Sequence, residues 1–431
     1  MTKARTAAAL PGEKSETVSL SMRYRSVRSS SEALCAHLLP EDCVVQSMPD
    51  ASPLKWHLAH TSWFFETFVL GKTVANYRPH DPGYSLLFNS YYEGVGDRFE
   101  RPKRGVLSRP SVAEVQAYRW AVDEAMLVLL AGPVSAETTS AIVLGLHHEQ
   151  QHQELMLTDI QHAFASNPLR PVYAAATFTS PREEARSLSW RAYAEELVWT
   201  GHDGSAFGFD NEMPRHRAFL NPYELGMRLV TCGEYEDFIA DGGYTRPDLW
   251  LSDGWAKKNA HGWTAPLYWE KQGDSYLQMT LAGMREVHAS TPVCHVSFYE
   301  ADAYTRWAGA RLPTEHEWEH AAKDLPVDGN FVESKVLQPL PARMVSSSIV
   351  LPQQMFGDAW EWTASPYAPY PGFRPLEGAL GEYNGKFMCN QMVLRGGSCV
   401  TPRSHVRASY RNFFPPETRW QFSGIRLAKD A

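Results

Sequence analysis

Residues 145–164 read GLHHEQQHQELMLTDIQHAF and carry four histidines, His147, His148, His152 and His162. Apolar residues recur here at helical spacing, so the segment reads as a helix. Residues four apart share one face, with Cβ atoms about 5–6 Å apart. His148 and His152 can therefore aim two imidazoles at one metal ion, and imidazole suits Zn, Fe, Cu and Ni alike. His147 is rotated by about 100° from that face, and His162 lies more than two turns beyond His152. The run His148-Glu149-Gln150-Gln151-His152 also spells H-E-x-x-H, the zinc-protease pattern. A protease needs Glu149 as general base and a third ligand downstream. No H-x-x-G-x-x-H pattern follows, and the chain soon enters a proline-containing connection. Two readings stay open for the pair itself: a metal site, or an ordinary polar helix face.

Working outward, three more helices precede this one. SVRSSSEALCAHLL offers serines as N-caps. PLKWHLAHTSWFFETFVLG, 53–71, opens on Pro53 and stops at Gly71. SVAEVQAYRWAVDEAMLVLLA, 111–131, has Ser111 and Glu114 spaced as a capping box, and Ser135 opens the histidine helix. Four helices predict a four-helix bundle, whose core sites are built from side chains on facing helices. WHLAH, 56–60, puts His57 and His60 on a second, strongly apolar helix. His60 is the candidate third ligand. His57 reads as a supporting or capping group, and satisfied core histidines are the alternative for both.

The chain has 431 residues, 44% apolar and 21% charged, enough for two globular domains. Its net charge of −8 gives no basic footprint, so nucleic acid is not an expected partner. No apolar run is long enough to span a membrane, and the N-terminus has no apolar core of a signal peptide. The six cysteines, Cys35, Cys43, Cys232, Cys294, Cys389 and Cys399, have irregular spacing and read as thiols of a cytoplasmic protein. The sequence does not fix an oligomeric state. The division expected is a tail at 1–20, a helical bundle at 21–166, a linker at 167–187 and a loop-rich α+β domain at 188–431. In that last part only VSFYEADAYTRWAGA and TEHEWEHAAKD look helical, and Trp360 and Trp362 alternate as on a strand with one face buried.

WHLAH with HHEQQHQEL resembles the DinB-like iron-binding bundle of the ergothioneine-biosynthesis sulfoxide synthases. RLPTEHEWEHAA (311–322), GDAWEWTAS (357–365), LRGGSCVTP (394–402), YRNFFPP (410–416) and GIRLA (424–428) resemble the formylglycine-generating-enzyme-type domain, a C-type-lectin-like fold. The resemblance spans roughly residues 21–430. It implies Fe(II) and O2 chemistry that joins a cysteine-type thiol to the imidazole of hercynine, Nα-trimethylhistidine, as a sulfoxide. It implies His60, His148 and His152 as iron ligands and Gln151 as a contact to the substrate imidazole. Asn412 and Phe413 occupy the positions that hold the trimethylammonium group, where an aromatic face attracts a cation. Phe414 stands where members using γ-glutamylcysteine have Asp, so free cysteine is the expected donor. Arg101 and Arg104 match an arginine pair that grips the donor carboxylate, for which a guanidinium fork is suited. Tyr91 and Tyr92 are the expected phenol donors, protonated at neutral pH. Two other functions remain in view. One is an ovothiol-type synthase acting on histidine. The other is a non-catalytic, metal-stabilised lectin-like binding module.

Overall fold

A computed structural model of the chain describes residues 19–175, 187–343 and 351–431. The expected tail falls almost wholly outside these residues, as does 176–186 of the expected linker. Four principal helices make the N-terminal part: α1 Leu20–Cys35, α2 Leu54–Phe65, α3 Val112–Leu130 and α4 Ala136–Ser166. Ser19 caps α1, so Ser29, Ser30 and Ser31 lie inside the helix rather than at its start. The reason is tertiary: Ser31 is buried and donates to Glu149 Oε1 at 2.6 Å. Ser111 and Glu114 form the expected capping box. The second helix passes its expected stop. A π turn, Glu66–Leu70, carries it into a further helical turn, Gly71–Thr73. That turn buries the Glu66 carboxylate, which accepts from Tyr118 Oη at 2.7 Å, Tyr77 Oη at 3.0 Å and His80 N at 2.8 Å.

One glycine sets how closely α2 and α4 approach. A Cβ at Gly145 would sit 2.7 Å from a Phe65 ring atom and 2.8 Å from one of Phe64. With no side chain there, α4 presses onto those rings, and His148, one turn later, comes within reach of His60.

The C-terminal part is built from short strands, 3₁₀ turns and loops. Its central sheet runs in the order Asn412–Phe414, Met392–Arg395, Trp360–Pro366, Ser423–Gly424. The first three strands pair antiparallel and the last is parallel. Helices Phe298–Trp307 and Glu315–Ala322 fall where expected. Two more, Cys232–Ala240 and Ser252–His261, were not expected. The first had a legible signal, the Thr231 and Glu234 capping box. The 360–363 strand differs from expectation because both its faces are covered. Trp360 Nε1 donates to Glu154 Oε1 of α4 at 2.5 Å, while Glu361 on the other face pairs with Arg426 at 2.6 Å. Gly396 and Gly397 have φ of +98° and +82°, and a Cβ at Gly396 would lie 2.6 Å from the Met355 carbonyl oxygen. All six cysteines are free thiols. Among the described residues, no helix is long and apolar enough to cross a membrane.

Candidate metal centre at the junction of helices and sheet

His60 on α2 and His148 and His152 on α4 are all buried, and their ligand atoms lie within 4.8 Å of one another. His60 Nε2 is 3.1 Å from His148 Nε2, and His152 Nε2 is 3.0 Å from it. The Nδ1 of His60 donates to the Phe88 carbonyl at 2.6 Å, which leaves its Nε2 as a lone pair. Burial first, then neighbouring imidazoles, pushes the pKa values of His60 and His152 well below the ordinary range. Burial also brings His148 down to about 3. Three neutral imidazoles therefore turn their Nε2 atoms to one point, and a proton on one of them can satisfy only one contact. A divalent transition metal fits this donor set.

Glu149, the would-be protease base, faces away. It is fully buried between Arg28 at 3.0 Å and Arg119 at 2.5 Å, with Ser31 donating to it. Burial pushes this carboxyl up, but Arg119 and Arg28 outweigh it and hold it at about 2. His162 also lies outside the cluster, hydrogen-bonded to Ser47 Oγ at 2.7 Å.

Gln151 projects toward the second part of the chain. Its Nε2 donates to Tyr410 Oη at 2.8 Å, and its Oε1 accepts from the Tyr383 hydroxyl. The Tyr383 ring stands edge-on to His148, centroids 5.6 Å apart. Tyr91 lies against Tyr383 at 6.2 Å and against Tyr92 at 4.6 Å, whereas Tyr92 packs on Trp63 and Phe68. Burial raises all three phenols, so each keeps its proton at neutral pH. Tyr383 sits in a loop with no periodic pattern, and nothing in the sequence reading singled it out. His147, correctly turned from the ligand face, links Arg23 at 2.7 Å to His405 at 3.1 Å. His405 in turn reaches Tyr410 at 3.0 Å. A buried chain of hydrogen bonds thus fixes the Gln151 amide from across the junction.

The two arginines part company. Arg104 is buried, its guanidinium carbon 3.3 Å from the Trp56 ring centroid, and Trp56 stacks on His60 at 4.6 Å. It donates to Ser52 Oγ at 2.9 Å and Ser90 Oγ at 3.3 Å, and its Nε has no partner. Burial, then Arg101, lowers its pKa, which marks a cation short of a counter-charge. Arg101 itself is exposed. Phe413 is half-buried and stacks on Tyr367 at 4.0 Å. It lies 6.0 Å from Phe387, which is 5.3 Å from Tyr91. Asn412 Oδ1 accepts from the Phe413 N–H at 2.9 Å, and Phe414 packs half-buried at the core edge. These residues reach the imidazoles through that aromatic ladder, without touching them. A cleft of about 1400 Å³ opens beside the centre, with Phe68, Leu144, Phe209, Asp210, Leu380 and Tyr383 in its walls.

A helical bundle bearing three imidazoles, closed by a loop-rich C-type-lectin-like domain, defines a two-part enzyme of the DinB and sulfatase-modifying type. Residues 23–156 match the DinB superfamily, and residues 192–431 match the sulfatase-modifying factor enzyme 1-like domain. The chain is 34% identical to the hercynine oxygenase of Mycobacterium tuberculosis, over 89% of this chain and 92% of that protein. It is 32% identical to the hercynine oxygenase of Mycolicibacterium smegmatis, over 89% and 92%. Ergothioneine biosynthesis protein 1 of Schizosaccharomyces pombe is 27% identical, over 60% of this chain and 31% of that protein. The chain belongs to the hercynine oxygenase family and is an enzyme of the oxidoreductase class.

Proposed function

We propose that this enzyme is an ergothioneine-type sulfoxide synthase that uses Fe(II) and O2 to join cysteine to hercynine. The observation that carries the reading is the convergence of the His60, His148 and His152 Nε2 atoms. The Nε2 atoms of His60 and His152 lie 3.1 and 3.0 Å from that of His148, so the three residues would hold one divalent transition metal between them. Three protein ligands would leave the remaining coordination positions open for substrates.

The net reaction balances. The imidazole C–H, the thiol S–H and one O2 give a C–S bond, a sulfoxide oxygen and one water. Ferrous iron, when bound, supplies the redox chemistry with dioxygen. The protein's own groups do the rest. Arg104 receives the carboxylate of the donor, with exposed Arg101 adding charge at the mouth. Gln151 presents its amide to the hercynine imidazole. Asn412 and Phe413 stand at the far end of the aromatic ladder for the trimethylammonium group. Phe414 offers no carboxylate to a glutamyl amine, which favours free cysteine. Tyr383 holds a proton beside His148, with Tyr91 and Tyr92 behind it. We further propose that residues 21–166 and 188–431 are the two domains, joined by 167–187.

The test is anaerobic reconstitution with Fe(II), followed by hercynine, cysteine and O2. S-cysteinyl-hercynine sulfoxide is the expected product. Iron-loaded protein that makes none of it overturns the reading.

A further inference from the structure

The three imidazoles are held by three different devices. A backbone carbonyl holds His60, as described. The Nδ1 of His148 has no hydrogen-bond partner. His152 alone is tied to a carboxylate, through a second histidine. His152 Nδ1 lies 2.8 Å from His57 Nδ1, and His57 Nε2 lies 3.0 Å from Asp159 Oδ2. All three residues are at least nine-tenths buried. We propose that Asp159 and His57 are positioning residues that fix His152 in the one tautomer able to bind metal.

The Asp159 oxygen accepts, so His57 must carry its proton on Nε2. The Nδ1 of neutral His57 is then a lone pair. The contact at 2.8 Å needs a proton between the two Nδ1 atoms, and only His152 can provide it. His152 is thereby protonated at Nδ1, and its Nε2 faces His148 and His60 as a lone pair. Reversing the chain would set the Asp159 carboxylate against a lone pair of His57. Asp159 cannot easily turn away, because the same Oδ2 accepts from the Ser52 N–H at 2.8 Å. A carboxylate behind a ligating histidine both orients the ring and raises its basicity. The relay uses only residues from α2, α4 and the turn before α2.

The proposal rests on the three-histidine reading of the site. The test measures affinity of the purified full chain for Co(II) and Fe(II) by anaerobic chelator competition, with the Co(II) d–d spectrum as a second readout. His57→Phe keeps a ring in place but cuts the relay. His57→Gln keeps both roles, since its amide oxygen accepts from His152 and its amide nitrogen donates to Asp159. Asp159→Asn removes the charge. Loss of such partners costs about 10–100-fold in metal affinity. His57→Phe and Asp159→Asn are expected to weaken binding by that much and to alter the d–d bands. His57→Gln is expected to stay within about threefold of the parent. Parental affinity in both His57→Phe and Asp159→Asn, or a His57→Gln as weak as Asp159→Asn, overturns the relay. His148→Ala separates the two claims. If it loses the ion while His57→Phe and Asp159→Asn keep it, only the relay fails. If it binds like the parent, the site itself is wrong.

Discussion

Tyr383 and His148, 235 residues apart in the chain, meet edge to face with ring centroids 5.6 Å apart and planes at 77°. Through Gln151 the same phenol is tied to Tyr410. Its ring is the tyrosine ring in contact with the imidazole cluster, and Tyr383 is therefore the proposed proton donor. Tyr383→Phe is expected to lower kcat by about 10²–10⁴-fold, the range for a positioned proton donor. Fe(II) affinity should stay within a factor of two or so of the parent, because no ligand is touched. Equal turnover of parent and variant in single-turnover kinetics would remove Tyr383 from the mechanism.

Arg104 is a buried guanidinium stacked on Trp56, with hydroxyl partners only. Arg104→Leu should raise KM for cysteine by about 10–100-fold or more, the worth of a charged hydrogen bond. KM for hercynine should change little. A rise confined to hercynine would place the donor elsewhere.

Phe414 is half-buried at the edge of the central sheet, next to Phe413. Phe414→Asp should shift preference toward γ-glutamylcysteine, read as the ratio of kcat/KM for the two thiols. A parent enzyme that turns over the dipeptide as fast as cysteine contradicts the assignment before any variant is made.

Gly145 lies where a Cβ would strike Phe64 and Phe65. Gly145→Ala is expected to cost about 1–3 kcal/mol, as overpacking does. Forcing α2 and α4 apart also spreads His60 from His148, so metal affinity should fall with stability. Urea unfolding and metal titration of the same sample check both.

Asp358 is buried, which raises its carboxyl to about 6 despite hydrogen bonds from Asn330 and the Leu340 N–H. Its folded pKa is above the unfolded value, so the folded state holds the extra proton. Stability from this group is full below about pH 4 and lost as pH rises through 6. The loss is roughly 3 kcal/mol at most. Asp358→Asn keeps the acceptor oxygen, and Asn tolerates the φ of +55° at this position. The difference in unfolding free energy between variant and parent should therefore grow in the variant's favour from pH 4 to pH 7. A flat difference refutes the shift.

The shared side of His148 and His152 was legible because a helix repeats every 3.6 residues. His60 was legible because its helix was apolar throughout. Arg104 and Arg101 look alike in ERPKRG, and only the 3₁₀ turn decides that one is buried and the other exposed. Tyr383, His405 and Tyr410 carry no periodic signal, since loops take their place from tertiary contacts. The same is true of Ser31, which a local rule makes a cap and the Glu149 cluster makes a core residue. Asp159 sits on the histidine helix, yet its importance depends on His57 from another helix.

Glu154 leaves the histidine helix and accepts from both Trp360 and Thr401 of the other part, at 2.5 and 2.6 Å. Separating the two parts would leave a buried carboxyl without its two donors. Grafting either half onto a foreign counterpart should leave Glu154 or Trp360 buried without its partner, and so cost stability.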